Sequence, residues 1–104
     1  MAVSVCGTGI VTDQPDSPHR LLPVTKARLV FDFAEHDPAV PSEVITTLHS
    51  VLTAANAKFS ITVEPGTHHG YTFPSRPMYD AVSAENTWRR TFDALKELLA
   101  TSSD

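Results

Sequence analysis

Residues 28–33, RLVFDF, form a near-continuous apolar and aromatic run. Such a run suits a central strand of a parallel sheet, where both faces are covered. It ends at AEHDPAVP, a loop carrying Pro38 and Pro41. From Ser42 to Asn56 the apolar residues Val44, Ile45, Leu48, Val51, Leu52 and Ala55 recur at three, four and seven, the stripe of an amphipathic helix. Ser42 is placed to cap its start and Asn56 to end it. KFSITVE then alternates Phe59, Ile61 and Val63 with Ser60, Thr62 and Glu64, the period of a strand with one better-buried face. The stretch 28–64 is therefore a β-α-β unit, which joins parallel strands by a right-handed crossover.

Around this unit, AVSVC at 2–6 reads as a short buried strand that stops at the turn GTG. The segment VTDQPDSPHRLLPVTKA carries Pro15, Pro18 and Pro23, which disfavour a long helix, so it reads as an extended loop. PGTHHGYTFPSRP is irregular. From Met78 to Ala100, Ala81, Val82, Trp88, Phe92, Leu95, Leu98 and Leu99 predict a second amphipathic helix. Trp88 and Phe92 are assigned to the core, and Arg89, Arg90, Lys96 and Glu97 to the wet face. The polar tail TSSD is expected to fray. With 104 residues the chain fits one domain, of α/β class, with about three parallel strands and two flanking helices.

Composition excludes some partners. A net charge of -4 leaves no basic footprint for nucleic acid or an anionic membrane. The apolar start MAVSVCGTGIV is far too short to span a bilayer. The lone Cys6 can form no internal disulfide and lacks the paired spacing of a structural zinc site, which suits the cytoplasm.

In an open α/β sheet, the loops after the carboxyl ends of the strands form the ligand crevice. Asp37 lies just beyond one predicted strand and His69 beyond the next. If those strands are neighbours, about 4.8 Å apart, the two loops can bring a carboxylate to an imidazole. The carboxylate would accept the Nδ1 proton and leave Nε2 to take a proton from a nucleophile. Plainer readings stand beside this one. An Asp before Pro is often a turn or cap residue. His68 and His69 could be surface residues, or metal ligands with His36 and Asp37, although adjacent side chains point apart in extended backbone and chelate poorly. His19 and His49 read as ordinary loop and helix-surface residues. Cys6 in SVCGTG fails as a nucleophile elbow, because positions 4 and 8 are Ser and Thr rather than Gly and no helix follows. It reads as a buried strand-end cysteine.

The segments FAEHDPAVP, VEPGTHHGYTFPSRPMYD and AENTWRR, with GTGIVTDQPDSPH before them, resemble the C-terminal part of the dienelactone hydrolase family, a branch of the α/β-hydrolase fold. The resemblance covers nearly the whole chain. Its most specific parts are the Asp-Pro acid loop and the turn in which His precedes Gly and an aromatic. It places the family's triad acid on Asp37 and its triad histidine on His69, and gives His68 no role. It aligns Arg76, in PSRP, with a recurrent basic position, so that Arg76 approaches a substrate carboxylate or is simply an exposed loop arginine. No cofactor and no metal are implied.

The family's nucleophile, a Cys or Ser in a Gly-x-Cys/Ser-x-Gly elbow, has no counterpart among these 104 residues. The resemblance thus implies a partial domain over 1–104: an ester or lactone hydrolase portion that supplies Asp37 and His69 and is inactive alone. Strand 2–6 would then present an open edge to an N-terminal half or to another copy. The competing expectations are a non-enzymatic module that binds a partner chain through that edge, and a small enzyme that uses Cys6.

Overall fold

The structure is a computed structural model and describes residues 1–22 and 26–102. Pro23 and the end of the tail lie outside them. The elements are β1 (Ala2–Val5), α1 (Pro18–Leu21), β2 (Leu29–His36), α2 (Ser42–Ala54), β3 (Phe59–His68) and α3 (Ala81–Ser102). The strands form one parallel sheet in the order β1-β2-β3. This is the α/β class expected, including the β-α-β unit of β2, α2 and β3.

Alternation along β2 divides the core between the two faces of the sheet. Leu29, Phe31 and Phe33 point to one side, where they meet Leu48 and Leu52 of α2, Val40 and Ile10. Leu48 and Leu52 are fully buried, and each such side chain contributes about 1.5–3 kcal/mol by leaving water. On the other side β2 carries Asp32 between the buried Val30 and Ala34. Asp32 and Glu64 are both buried, and Arg90 of α3 lies between them at 2.7 and 2.6 Å. A buried carboxylate is tolerable when a cation and its hydrogen bonds come with it.

This pairing corrects the reading of the last helix. Arg90 points inward, to the sheet, and not to water. Trp88 and Phe92, expected in the core, are 43% and 58% exposed. The sheet-facing row of α3 is Ala84, Thr87 and Ala94, all buried; Trp88 is one residue, or about 100°, around the helix from Thr87. Small residues let α3 approach the sheet closely enough for Arg90 to reach both acids.

Other expectations also shift. Strand 2–6 is only partly buried: Val3 is exposed at the edge of the sheet, where β1 pairs with β2 alone. The proline-rich loop contains one short helix, α1, which begins at Pro18 because a first-turn proline loses no helical hydrogen bond. Ser42 opens α2 as its first residue and caps nothing; Pro41 precedes it without a side-chain cap. Asn56 does end the helix, in the left-handed region at φ 57. Finally, β3 continues four residues past Glu64, to His68. Its pairing with β2 is regular from Leu29↔Phe59 to Ala34↔Glu64, breaks, and resumes at His36↔His68.

Candidate active site

Asp37 is the first residue after β2 and His69 the first after β3. The chain leaves both strands at the same edge of the sheet, and the two side chains meet there: His69 Nδ1 is 2.6 Å from Asp37 Oδ2. A carboxylate can only accept, so Nδ1 carries the proton and Nε2 is left as the free nitrogen. The carboxylate is 2% exposed and the imidazole 47%. One end of the pair is thus shielded from water and the other faces it.

The turn reading of Asp37 holds at the same time. Its other oxygen, Oδ1, accepts the Ala39 amide at 3.0 Å, and its carbonyl accepts from Val40 at 3.0 Å. Both carboxylate oxygens are therefore held, which fixes the orientation of the one that meets the histidine.

His69 sits in a tight turn. Tyr71 donates its amide to the His68 carbonyl at 3.1 Å, and Gly70 takes φ 86, a conformation that side chains resist. Beyond the turn Tyr71 is fully buried against Cys6 and Ala34. Its hydroxyl is 2.6 Å from Thr87 Oγ1 on α3. Burial pushes the phenol up to about 12, so it stays neutral and available as a donor. Thr87 Oγ1 in turn accepts from Arg90. The turn is thereby tied to α3 and, through Arg90, to the middle of the sheet. Burial also pushes Asp32 above its ordinary range, and Arg90 pulls it back only in part.

The remaining sequence candidates fall as follows. The His68 ring stands 5.2 Å from His36, its partner across the ladder, and not on Asp37. Arg76 is exposed, with its guanidinium over the Phe73 ring at 5.3 Å and its Cδ beside Gly70. It lies next to the His69 turn. Cys6 is buried. Because Val5 pairs with Asp32, Cys6 is level with Phe33, four residues short of Asp37 and about 13 Å below it along the strand. It stands apart from the pair. Among the described residues no three His, Cys, Asp or Glu side chains are arranged to hold a metal, and no helix is long and apolar enough to cross a membrane.

A parallel sheet covered by helices, with an acid and a histidine at its carboxyl edge, has the architecture of an α/β-hydrolase. The fold is that of a crystal structure from Klebsiella pneumoniae provisionally named a dienelactone hydrolase: the TM-score is 0.79 over 88% of this chain and 40% of that one, at 24% identity. The sequence profile of the dienelactone hydrolase family matches residues 2–99, and the chain belongs to that family. Two relatives, each provisionally named a carboxymethylenebutenolidase, extend the likeness. The protein of Escherichia coli K12 is 32% identical over 85 residues, which is 82% of this chain and 31% of that protein. The protein of Yersinia pestis is 40% identical over 57 residues, 55% of this chain and 21% of that protein. The chain spans less than a third of the length of these relatives.

Sequence reasoning missed Tyr71, Thr87, Arg90, Asp32 and Glu64 as supports of the pair. The signal was there in part: two acids at inward positions of neighbouring strands require a cation from whichever element covers them.

Proposed function

We propose that this chain supplies the acid and the base of an ester- or lactone-hydrolysing site. In that reaction His69 Nε2 removes the proton from a thiol or hydroxyl nucleophile, which attacks the carbonyl carbon. The imidazolium, stabilised by Asp37, then gives that proton to the departing alkoxide, and an acyl-enzyme remains. His69 next takes a proton from water, which attacks the acyl carbon; the proton returns to the nucleophile and the acid product leaves. Asp37 keeps the imidazole in the Nδ1–H tautomer throughout. The observation that carries this reading is the 2.6 Å contact between a buried carboxylate and a half-exposed imidazole. Arg76, beside the His69 turn, is assigned to a carboxylate on the substrate. The lone, buried Cys6 supports a cytoplasmic setting.

The nucleophile belongs to polypeptide other than these 104 residues, and its partner surface is the open edge of β1. Beside that edge lies an apolar groove of about 200 Å³ lined by Val3, Ile10, Leu22 and Phe31. On α3 the row Trp88, Phe92 and Leu95 is exposed, and a contiguous apolar row of this kind marks an interaction surface. The occupant proposed is an upstream segment that carries the elbow.

Mixing the purified chain with the elbow-bearing upstream segment of a family member, and following hydrolysis of a small aryl ester, tests this reading. The chain alone should give no turnover and the mixture should give turnover that requires both Asp37 and His69. A mixture equally active with both residues replaced would leave only an interaction module.

A further inference from the structure

We infer that the break in the β2–β3 ladder at residues 65–67 is what sets Asp37 and His69 opposite each other, and that Thr67 and Glu35 are positioning residues for the imidazole. The inference rests on the reading of His69 as the base.

From Leu29↔Phe59 to Ala34↔Glu64 the partners are thirty positions apart, and at His36↔His68 they are thirty-two. An unbroken ladder would pair His36 with Gly66 and Asp37 with Thr67. His69 would then lie two residues further on, about 6.6 Å along the strand, out of reach of the 2.6 Å contact it makes with Asp37. Two extra residues in β3 absorb that difference, as in a β-bulge.

Each residue of the break has a distinct part. Pro65 has no N–H to give to the ladder, so regular pairing cannot pass through it. Gly66 takes φ 71, and a Cβ built there would meet nothing within 4 Å; the glycine answers to backbone conformation, not to crowding. Thr67 then re-enters the sheet through its side chain. Its buried hydroxyl donates to the Glu64 carbonyl at 2.7 Å and accepts the Glu35 amide at 3.2 Å. The hydroxyl stands where a peptide group of a regular ladder would be. The Glu35 carboxylate accepts the Gly66 amide at 2.7 Å, with His36 Nε2 at 3.3 Å on the same oxygen. Thr67 and Glu35 thus satisfy from the side chains the backbone groups that the interruption would orphan. They clamp Gly66 and Thr67, just before the histidine doublet, in the shifted register.

Nuclear magnetic resonance of the full 104-residue chain with ¹⁵N-labelled histidine tests this. In the wild type, His69 should show the Nδ1–H tautomer with a downfield, slowly exchanging proton that is lost in Asp37→Asn. Thr67→Val, which keeps the shape and removes the hydroxyl, should lose that proton signal and leave His69 a mixture of tautomers. Thr67→Ser should restore both. If Thr67→Val does not fold, Glu35→Gln decides, because the Glu35 side chain is half-exposed. There the Gly66 amide should exchange about tenfold faster, as a charge-assisted hydrogen bond gives way to a neutral one, and the His69 signal should weaken. A folded Thr67→Val chain with the wild-type His69 signature, or a Glu35→Gln chain unchanged in both readouts, would overturn the inference. Absence of the Asp37-linked signal in the wild type would instead defeat the parent reading of the pair.

Discussion

Asp37 uses its two carboxylate oxygens for different partners: Oδ1 closes a turn on the Ala39 amide at 3.0 Å, and Oδ2 meets His69 Nδ1 at 2.6 Å. The division separates the folding role of the residue from the chemical role proposed for it. In Asp37→Asn the side-chain oxygen can still accept from Ala39, while the amide nitrogen turned toward the ring cannot accept the Nδ1 proton. The chain should therefore unfold in urea within about 1 kcal/mol of wild type. In the assembled hydrolase the rate should fall about 10⁴-fold, the size of loss produced by the wrong histidine tautomer. A large loss of stability without loss of rate would reverse the assignment.

Tyr71 connects the histidine turn to α3 through its hydroxyl and Thr87. Tyr71→Phe should cost about 1 kcal/mol, since the buried threonine loses one partner and keeps Arg90. The phenol also predicts a pH effect. Its folded value is raised from 10.0 to about 12, so above pH 10 the unfolded chain gives up a proton that the folded chain retains. Stability then falls as pH rises from 10 to 12. Unfolding followed across that window should show this slope in wild type, and the Phe variant should lack it.

Arg90 sits between Asp32 and Glu64. Arg90→Leu would leave two buried acids without a cation and should destabilise the chain by about 3 kcal/mol. Arg90→Lys should recover only part, because one ammonium group cannot reproduce the forked donors. The Asp32 carboxyl, raised above 3.8 chiefly by burial, holds its proton in the folded chain where the unfolded chain has lost it. Stability should therefore fall as pH rises upward from 3.8 through the raised value, and Asp32→Asn should flatten that part of the curve. Urea titrations at stepped pH check both statements.

Trp88 and Phe92 show what the sequence could and could not tell. Helical periodicity located α3, which begins at Ala81 and not at Met78 as expected, yet it marks two adjacent rows and does not say which one meets the sheet. The choice was made by Asp32 and Glu64, distant in sequence, which require Arg90 beneath the helix. The same limit applies to β3. Its alternation was legible to Glu64, but its last four residues contain a break held by side chains of two strands, and no local period encodes that. Asp37 and His69 were legible because a parallel sheet collects its loops at one edge, and each residue begins such a loop.

The exposed positions of that helix give a further prediction. Trp88→Ser with Phe92→Ser should change the stability of the isolated chain by no more than about 0.5 kcal/mol each, as surface substitutions do. It should weaken assembly with the upstream segment. Core-sized losses of several kcal/mol in thermal unfolding would show that the helix is rotated from the position described.

The central claim is that one histidine of the doublet is the base and the other is not. Its most direct test is the aryl-ester hydrolysis rate of the assembled enzyme with His69→Ala set against His68→Ala. Loss of activity in the first with near wild-type activity in the second is the expected result; equal loss in both, or activity surviving His69→Ala, would contradict it.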